Sequence, residues 1–128
     1  MPESLQLEVL NQTYAVCRLS NADSIPKWAT SAEFLSITRT HDELSIVCEV
    51  ESVPDGVQAE RNFRGLRVVG PLDFALTGIM AALTTPLAAA GISIFAISTY
   101  DTDYLFVRAD RLDQAIGVLR DAGMILLR

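Results

Sequence analysis

An α+β fold is what three features of this chain predict. Short apolar runs with period-two alternation lie near both ends, helical spacing of apolar residues is confined to the second half, and Gly, Pro and Asp mark the transitions. The chain has 128 residues, 50% hydrophobic and 20% charged, which suits a packed interior and not a disordered segment.

Between Leu5 and Leu19 apolar residues recur about every second position, and Asn11-Gln12 reads as a turn between two short strands. Ser24 to Ala29 fits one helical turn, with Ser24 as cap and Pro26 near its start. Trp28, within it, reads as a core or interface plug. Phe34 to Thr40 and Glu43 to Val50 are β-rich runs flanking His41-Asp42, a hairpin pattern. Ser52 to Gly56 is the strongest break, and the boundary between two units is expected near residue 60. Leu66 to Val69 then reads as a strand ending at Gly70-Pro71. A helix is expected from Thr77 to Ala90, with Ile79, Leu83 and Leu87 on one face, Pro86 bending it and Gly91 ending it. Ile92 to Thr99 and Tyr104 to Arg108 form a second hairpin. Asp110 is placed to cap a helix running to Ala122, with Leu112, Ile116 and Leu119 inward, and Met124 to Leu127 is a last strand. The order from residue 61 onward is βαββαβ, the split pattern of ferredoxin-like folds.

The hairpins also resemble one another. Ile37 to Val47 aligns with Ile97 to Val107 at an offset of 97 − 37 = 60, which pairs Glu43 with Asp103 and suggests an internal duplication. The expected domains are therefore a degenerate unit over 1–60 and a complete one over 61–128, each with an antiparallel sheet.

Several function classes are disfavoured. A net charge of −6, with the ten Lys and Arg residues scattered, opposes nucleic-acid binding. No apolar run approaches the roughly 18–20 residues of a membrane span, and the acidic start Met1-Pro2-Glu3-Ser4 is unlike a signal segment. A cytoplasmic protein without membrane partners is expected. Cys17 and Cys48 sit in separate apolar runs without CxxC spacing, so free buried thiols are expected and no metal site. His41 stands alone in a turn, and no Gly-rich phosphate loop or acid–base pair occurs, so neither catalytic residues nor a cofactor is expected.

Two segments carry the functional signal. In Gly70 to Ile79, Asp73 precedes a helix start at Thr77-Gly78-Ile79, where unpaired N–H groups suit a carboxylate and Gly78 permits close approach. In Ile97 to Tyr104, the turn offers Ser98, Thr99, Asp101 and Asp103. Each residue also has an ordinary reading: Asp73 as a helix-terminal charge, Thr77 and Gly78 as tight packing, and the later hydroxyls and carboxylates as turn formers.

Taken together, Gly70-Pro71-Leu72, Thr77-Gly78-Ile79, Pro86-Leu87 through Gly91-Ile92, and Ser98-Thr99-Tyr100 resemble the ACT domain. They resemble more narrowly the tandem ACT proteins related to cytosolic arginine sensors and to aspartokinase regulatory domains. The resemblance implies a regulatory module that binds an amino acid between ACT units, often across a homodimer, and that acts on a regulated protein partner. It assigns ligand contact to Asp73, Leu76, Thr77, Gly78 and Ile79 and, from the facing turn, to Ser98, Thr99, Asp101 and Asp103. Leu76 stands where the arginine sensors carry an acidic residue, so arginine specificity is not implied. The alternative function is a ligand-independent dimerisation module recruiting a protein through exposed strand edges.

Overall fold

The computed structural model describes residues 5–73 and 77–128. The fold is α+β, with antiparallel hairpins and two helices of more than two turns among the described residues. Backbone packing divides the chain into one unit of Asn11–Phe63 and another of the residues up to Leu10 together with Arg64–Arg128. Two long strands, β1 (Gln6–Leu19) and β4 (Ala59–Val68), contribute residues to both units. Residue 60, the boundary expected from sequence, lies within β4.

In the unit of Asn11–Phe63, β2 (Ser36–Arg39) pairs antiparallel with β3 (Leu44–Glu49), and β3 pairs antiparallel with β1 from Tyr14 to Leu19. Alternation puts Ala15 and Cys17 on the same face as Leu44, Ile46 and Cys48. They form a buried cluster with Ala29 and Val53, against which Trp28 packs. Among its described residues this unit has no α-helix, and its only helical element is a 3-10 turn, Val50–Ser52, whose Val50 packs on the cluster. The segment around Trp28 makes a single turn closed by Ala29 N–H to the Pro26 carbonyl. Asp23, not Ser24, supplies the neighbouring cap-like bond, accepting from the Ser20 N–H.

The turn expected at Asn11-Gln12 does not form, and β1 continues through it. Glu33, distant in sequence, explains this. Its carboxylate accepts the Asn11 N–H at 2.8 Å and the Gln12 N–H at 3.1 Å, which satisfies extended backbone at those positions. It also accepts the Tyr14 hydroxyl at 2.9 Å.

The other unit follows the βαββαβ order. β4 leads to α1 (Ile79–Ala89), then β5 (Ile94–Ser98), β6 (Asp103–Arg108), α2 (Leu112–Asp121) and β7 (Ile125–Leu127). β6 lies between β4 and β5, while β7 pairs parallel with β1 at Gln6–Glu8. The helix-facing side of the sheet carries Leu7, Val9, Leu66, Val68, Leu105 and Val107. Ile79, Leu83 and Leu87 of α1 and Leu112, Ala115, Ile116 and Leu119 of α2 pack onto it. Pro86 sits inside α1, and Gly91 at φ 72° ends it with bonds from Gly91 and Ile92 N–H to Ala88 and Leu87 carbonyls. Asp110 lies in a single 3-10 turn, Ala109–Arg111, and α2 begins after it without a side-chain cap.

Replacing Glu33 by Ala leaves the Tyr14 hydroxyl and two backbone donors without their charged acceptor. We expect a loss of about 2 kcal/mol in unfolding free energy by urea titration, and a smaller loss in a Tyr14→Phe background.

Candidate functional site

The two hairpins are built on the same turn. Arg39 pairs with Leu44 and Ser98 with Asp103, each enclosing four residues. In both turns the first threonine N–H donates to the carbonyl three residues on, Thr40 to Glu43 at 2.9 Å and Thr99 to Thr102 at 2.8 Å. Each threonine hydroxyl also accepts the N–H three residues on, at 3.2 Å and 3.3 Å. The offset that superposes them is 99 − 40 = 59, not 60. A one-residue slip exchanges the two faces of a strand. At an offset of 59, buried Ile46 and Cys48 match Leu105 and Val107, which also face a core. The counterpart of Asp101 is Asp42. The counterpart of Asp103 is Leu44, not Glu43.

Asp103 therefore shares the helix-facing side of β6 with Leu105 and Val107, at the end nearest the turn. It accepts a hydrogen bond from the Ser98 hydroxyl at 2.5 Å. The turn is anchored to the segment after β4. Thr102, 6% exposed, donates its hydroxyl proton to the Val68 carbonyl at 2.6 Å, and the Leu72 N–H donates to the Asp101 carbonyl at 2.7 Å. Gly70 allows this approach, since a Cβ there would lie 3.0 Å from the Leu72 nitrogen and 3.2 Å from the Asp101 oxygen.

Between this anchored turn and the start of α1 is a cavity of about 280 Å³. Among the described residues, Asp73, Gly78, Ile79, Ser98, Thr99, Asp101 and Asp103, all singled out from sequence, line it. Thr77 is exposed and is not part of its wall. Leu76 lies outside the described residues. Leu72, Met80, Tyr100 and Thr102 also line the cavity, and sequence reasoning did not select them. The Thr99-x-x-Thr102 spacing was the available signal for Thr102, because a hydroxyl bonding backbone three residues away is a recurrent turn device.

Electrostatically the cavity is asymmetric. Gly78, at φ 81°, is the N-cap of α1 and supplies no side chain, and the first helical turn holds no acidic residue. The first bond of the helix runs from Ala82 N–H to the Gly78 carbonyl. The amides of Ile79, Met80 and Ala81 thus have no intrahelical acceptor and form the positive end of the helix dipole. This places the available donors slightly later than the expected Thr77–Ile79. The carboxyl-bearing residues Asp73, Asp101 and Asp103 share the lining with Gly78, Ile79 and Met80, and no Lys, Arg or His lines the cavity among the described residues. Such a site can accept a carboxylate at one end and a cationic group at the other. No group of three or more His, Cys, Asp or Glu with metal-binding geometry occurs among the described residues.

Comparison with known proteins gives this arrangement a family. A model of the ACT domain matches residues 58–121, and a model of an N-terminal domain matches residues 12–56. The chain belongs to the ACT-domain family. The rat cytosolic arginine sensor for mTORC1 subunit 1 is 30% identical over 112 residues, covering 76% of this chain and 34% of the sensor. This chain thus spans about a third of that relative's length. A crystal structure of an Agrobacterium tumefaciens protein is 41% identical with a TM-score of 0.92, covering 97% of this chain and 92% of that one. The regulatory subunit of aspartate kinase from Thermus thermophilus shares the fold at 11% identity, with a TM-score of 0.60 over 88% of this chain and 93% of the subunit. By name the rat relative is a sensor, and the Thermus thermophilus neighbour is a regulatory subunit.

Thr102→Val keeps the shape of the side chain but removes the hydroxyl that donates to the buried Val68 carbonyl. It is expected to lower unfolding free energy by about 1–3 kcal/mol, read by chemical denaturation.

Proposed function

We propose that this ACT-family chain is a non-catalytic, cytoplasmic regulatory protein that binds a small amino acid. Its ligand would lie between the α1 N-terminus and the β5–β6 turn. The carrying observation is a cavity of about 280 Å³ whose lining combines the start of α1, which has no side-chain cap, with Asp73, Asp101 and Asp103. That volume is near the lower end of the range of about 300–1,000 Å³ for small-molecule sites, which suits a ligand of amino-acid size. The ligand carboxylate meets the amides of Ile79, Met80 and Ala81, and its ammonium or basic side chain meets Asp73, Asp101 or Asp103. Thr77, exposed beside Gly78, precedes the helix entry in this reading.

The unit of Asn11–Phe63 is the degenerate member of a tandem pair. It keeps the threonine turn but carries Leu44 where Asp103 stands, which supports one site per chain. A homodimer is the proposed assembly. β5 is an edge strand of its unit, and the sequence from Ile92 to Thr99 contains no charge or proline to discourage pairing. Regulation follows from linkage: a ligand that prefers one arrangement of the protein shifts the population toward it and changes what a regulated partner meets.

Calorimetry against the twenty common amino acids tests this reading. We expect one amino acid, or a chemically related few, to bind at millimolar concentration or below with one site per chain. Asp103→Leu, which copies the other unit, should weaken binding about tenfold to a hundredfold, the equivalent of one charge-assisted bond. No heat and no thermal shift at millimolar ligand, with the dimer intact, favours the ligand-independent interaction module instead.

A further inference from the structure

Cys17 and Cys48 meet inside the unit of Asn11–Phe63. In the β1–β3 pairing, Ala15 lies opposite Cys48 and Cys17 opposite Ile46, so the cysteines occupy a diagonal on one face of adjacent strands. Both are free, 1% and 0% exposed, and belong to the same buried cluster. Their side chains are hydrogen-bonded to each other. The pair is polarised. The Cys48 S–H donates to the Cys17 sulfur and holds the Cys17 thiol below its usual range, burial opposing and the Arg61 charge assisting. The same bond, together with burial, pushes the Cys48 thiol well above its usual range. Cys17 is thus the member disposed to ionise, and Cys48 the member that keeps its proton.

We propose that Cys17 and Cys48 form a reversible oxidation site for a small hydroperoxide, with Cys17 as attacking thiol and Cys48 as resolving thiol. The Cys17 thiolate attacks one oxygen of hydrogen peroxide. A sulfur–oxygen bond forms, the oxygen–oxygen bond breaks, and the hydroxide released takes up the proton Cys17 gave, leaving as water. The Cys48 sulfur then attacks the Cys17 sulfenic acid. The disulfide forms, the sulfur–oxygen bond breaks, and the oxygen leaves as a second water with the Cys48 proton and its own. The two thiols supply both electrons that reduce the peroxide.

Diagonal cross-strand pairing in general strains such a bond, and in this proposal it is reversible. Diagonal cross-strand residues lie about 7–8 Å apart, somewhat less between Cβ atoms, whereas a disulfide holds Cβ atoms about 3.5–4.5 Å apart. At that general spacing, closing the bond draws β1 and β3 together, and a strained disulfide is the readily reduced kind. Trp28, the single tryptophan of the chain, packs on this cluster and reports the change.

The full-length protein is treated with hydrogen peroxide and followed by intact mass, thiol titration and Trp28 fluorescence. We expect a single-chain mass lower by two hydrogen atoms, both thiols lost together, quenched fluorescence, and full reversal by dithiothreitol. In Cys48→Ser, oxidation stops at a sulfenic acid on Cys17 that dimedone traps. In Cys17→Ser, Cys48 stays reduced under the same treatment. Retention of both thiols in the folded wild-type protein overturns the proposal, as does a disulfide formed only between chains. Dimedone labelling of Cys48 overturns the assignment of roles, and the wild-type measurement stands even where a variant folds poorly.

Discussion

Side chains leave a β-strand alternately to its two faces, so the pairing of Ser98 with Asp103 settles the direction of every residue in the β5–β6 hairpin. In this register Leu105 and Val107 enter the core beneath the helices, and Asp103, two residues earlier, lies on that same face at its open end. The core and the carboxylate of the cavity depend on one alignment. A slip of one residue would bury Tyr104 and Phe106 among the helices and turn Asp103 away. The turn is accordingly held from outside the hairpin as well, by the Thr102 hydroxyl on Val68 and by the Leu72 amide on the Asp101 carbonyl.

The two units show what such a register can and cannot conserve. Both keep a threonine whose amide and hydroxyl close a four-residue turn, because that chemistry is local and independent of the face presented. They differ at the first core-facing residue after the turn. Leu44 joins a buried cluster, while Asp103 is held by Ser98 at the edge of a cavity. The second difference is what covers the sheet. Among the described residues, one unit has two α-helices, while the other has the Trp28 turn and a short 3-10 turn at Val50–Ser52. A helix start brings unpaired amides to the end of a sheet, and a short turn does not. An apolar residue against a carboxylate at this position, together with a helix start, is the contrast between the two units on which the proposed ligand site rests.

Much of this was legible in the sequence, and the misses share a cause. Ile79, Leu83 and Leu87 announced α1 through their spacing, and Leu112, Ile116 and Leu119 announced α2, since each helix buries one face. Asp73, Gly78 and the Ser98–Asp103 turn stood out because helix starts and turns have local chemical signatures. The continuity of β1 was hidden because Glu33 satisfies Asn11 and Gln12 from more than twenty residues away. The length of β4 was hidden because Glu60, Arg61, Asn62 and Arg64 interrupt its apolar pattern. Thr102 escaped notice for the same reason as Glu33: its partner, Val68, is 34 residues away. The sequence offset of 60 differs by one from the offset that matches the two hairpin turns, since aligned hydrophobic letters do not reveal which face each occupies.

The central claim is that an amino acid bridges the α1 amides and the carboxylates of the β5–β6 turn. Amide chemical shifts in a ¹⁵N-labelled protein, followed during titration with the amino acid selected by calorimetry, test it most directly. The account predicts saturable shifts centred on Ile79, Met80 and Ala81 and on residues 98–103, with the matching turn at residues 40–43 unmoved. Saturable shifts that leave the α1 amides and residues 98–103 unchanged while moving another region would contradict it.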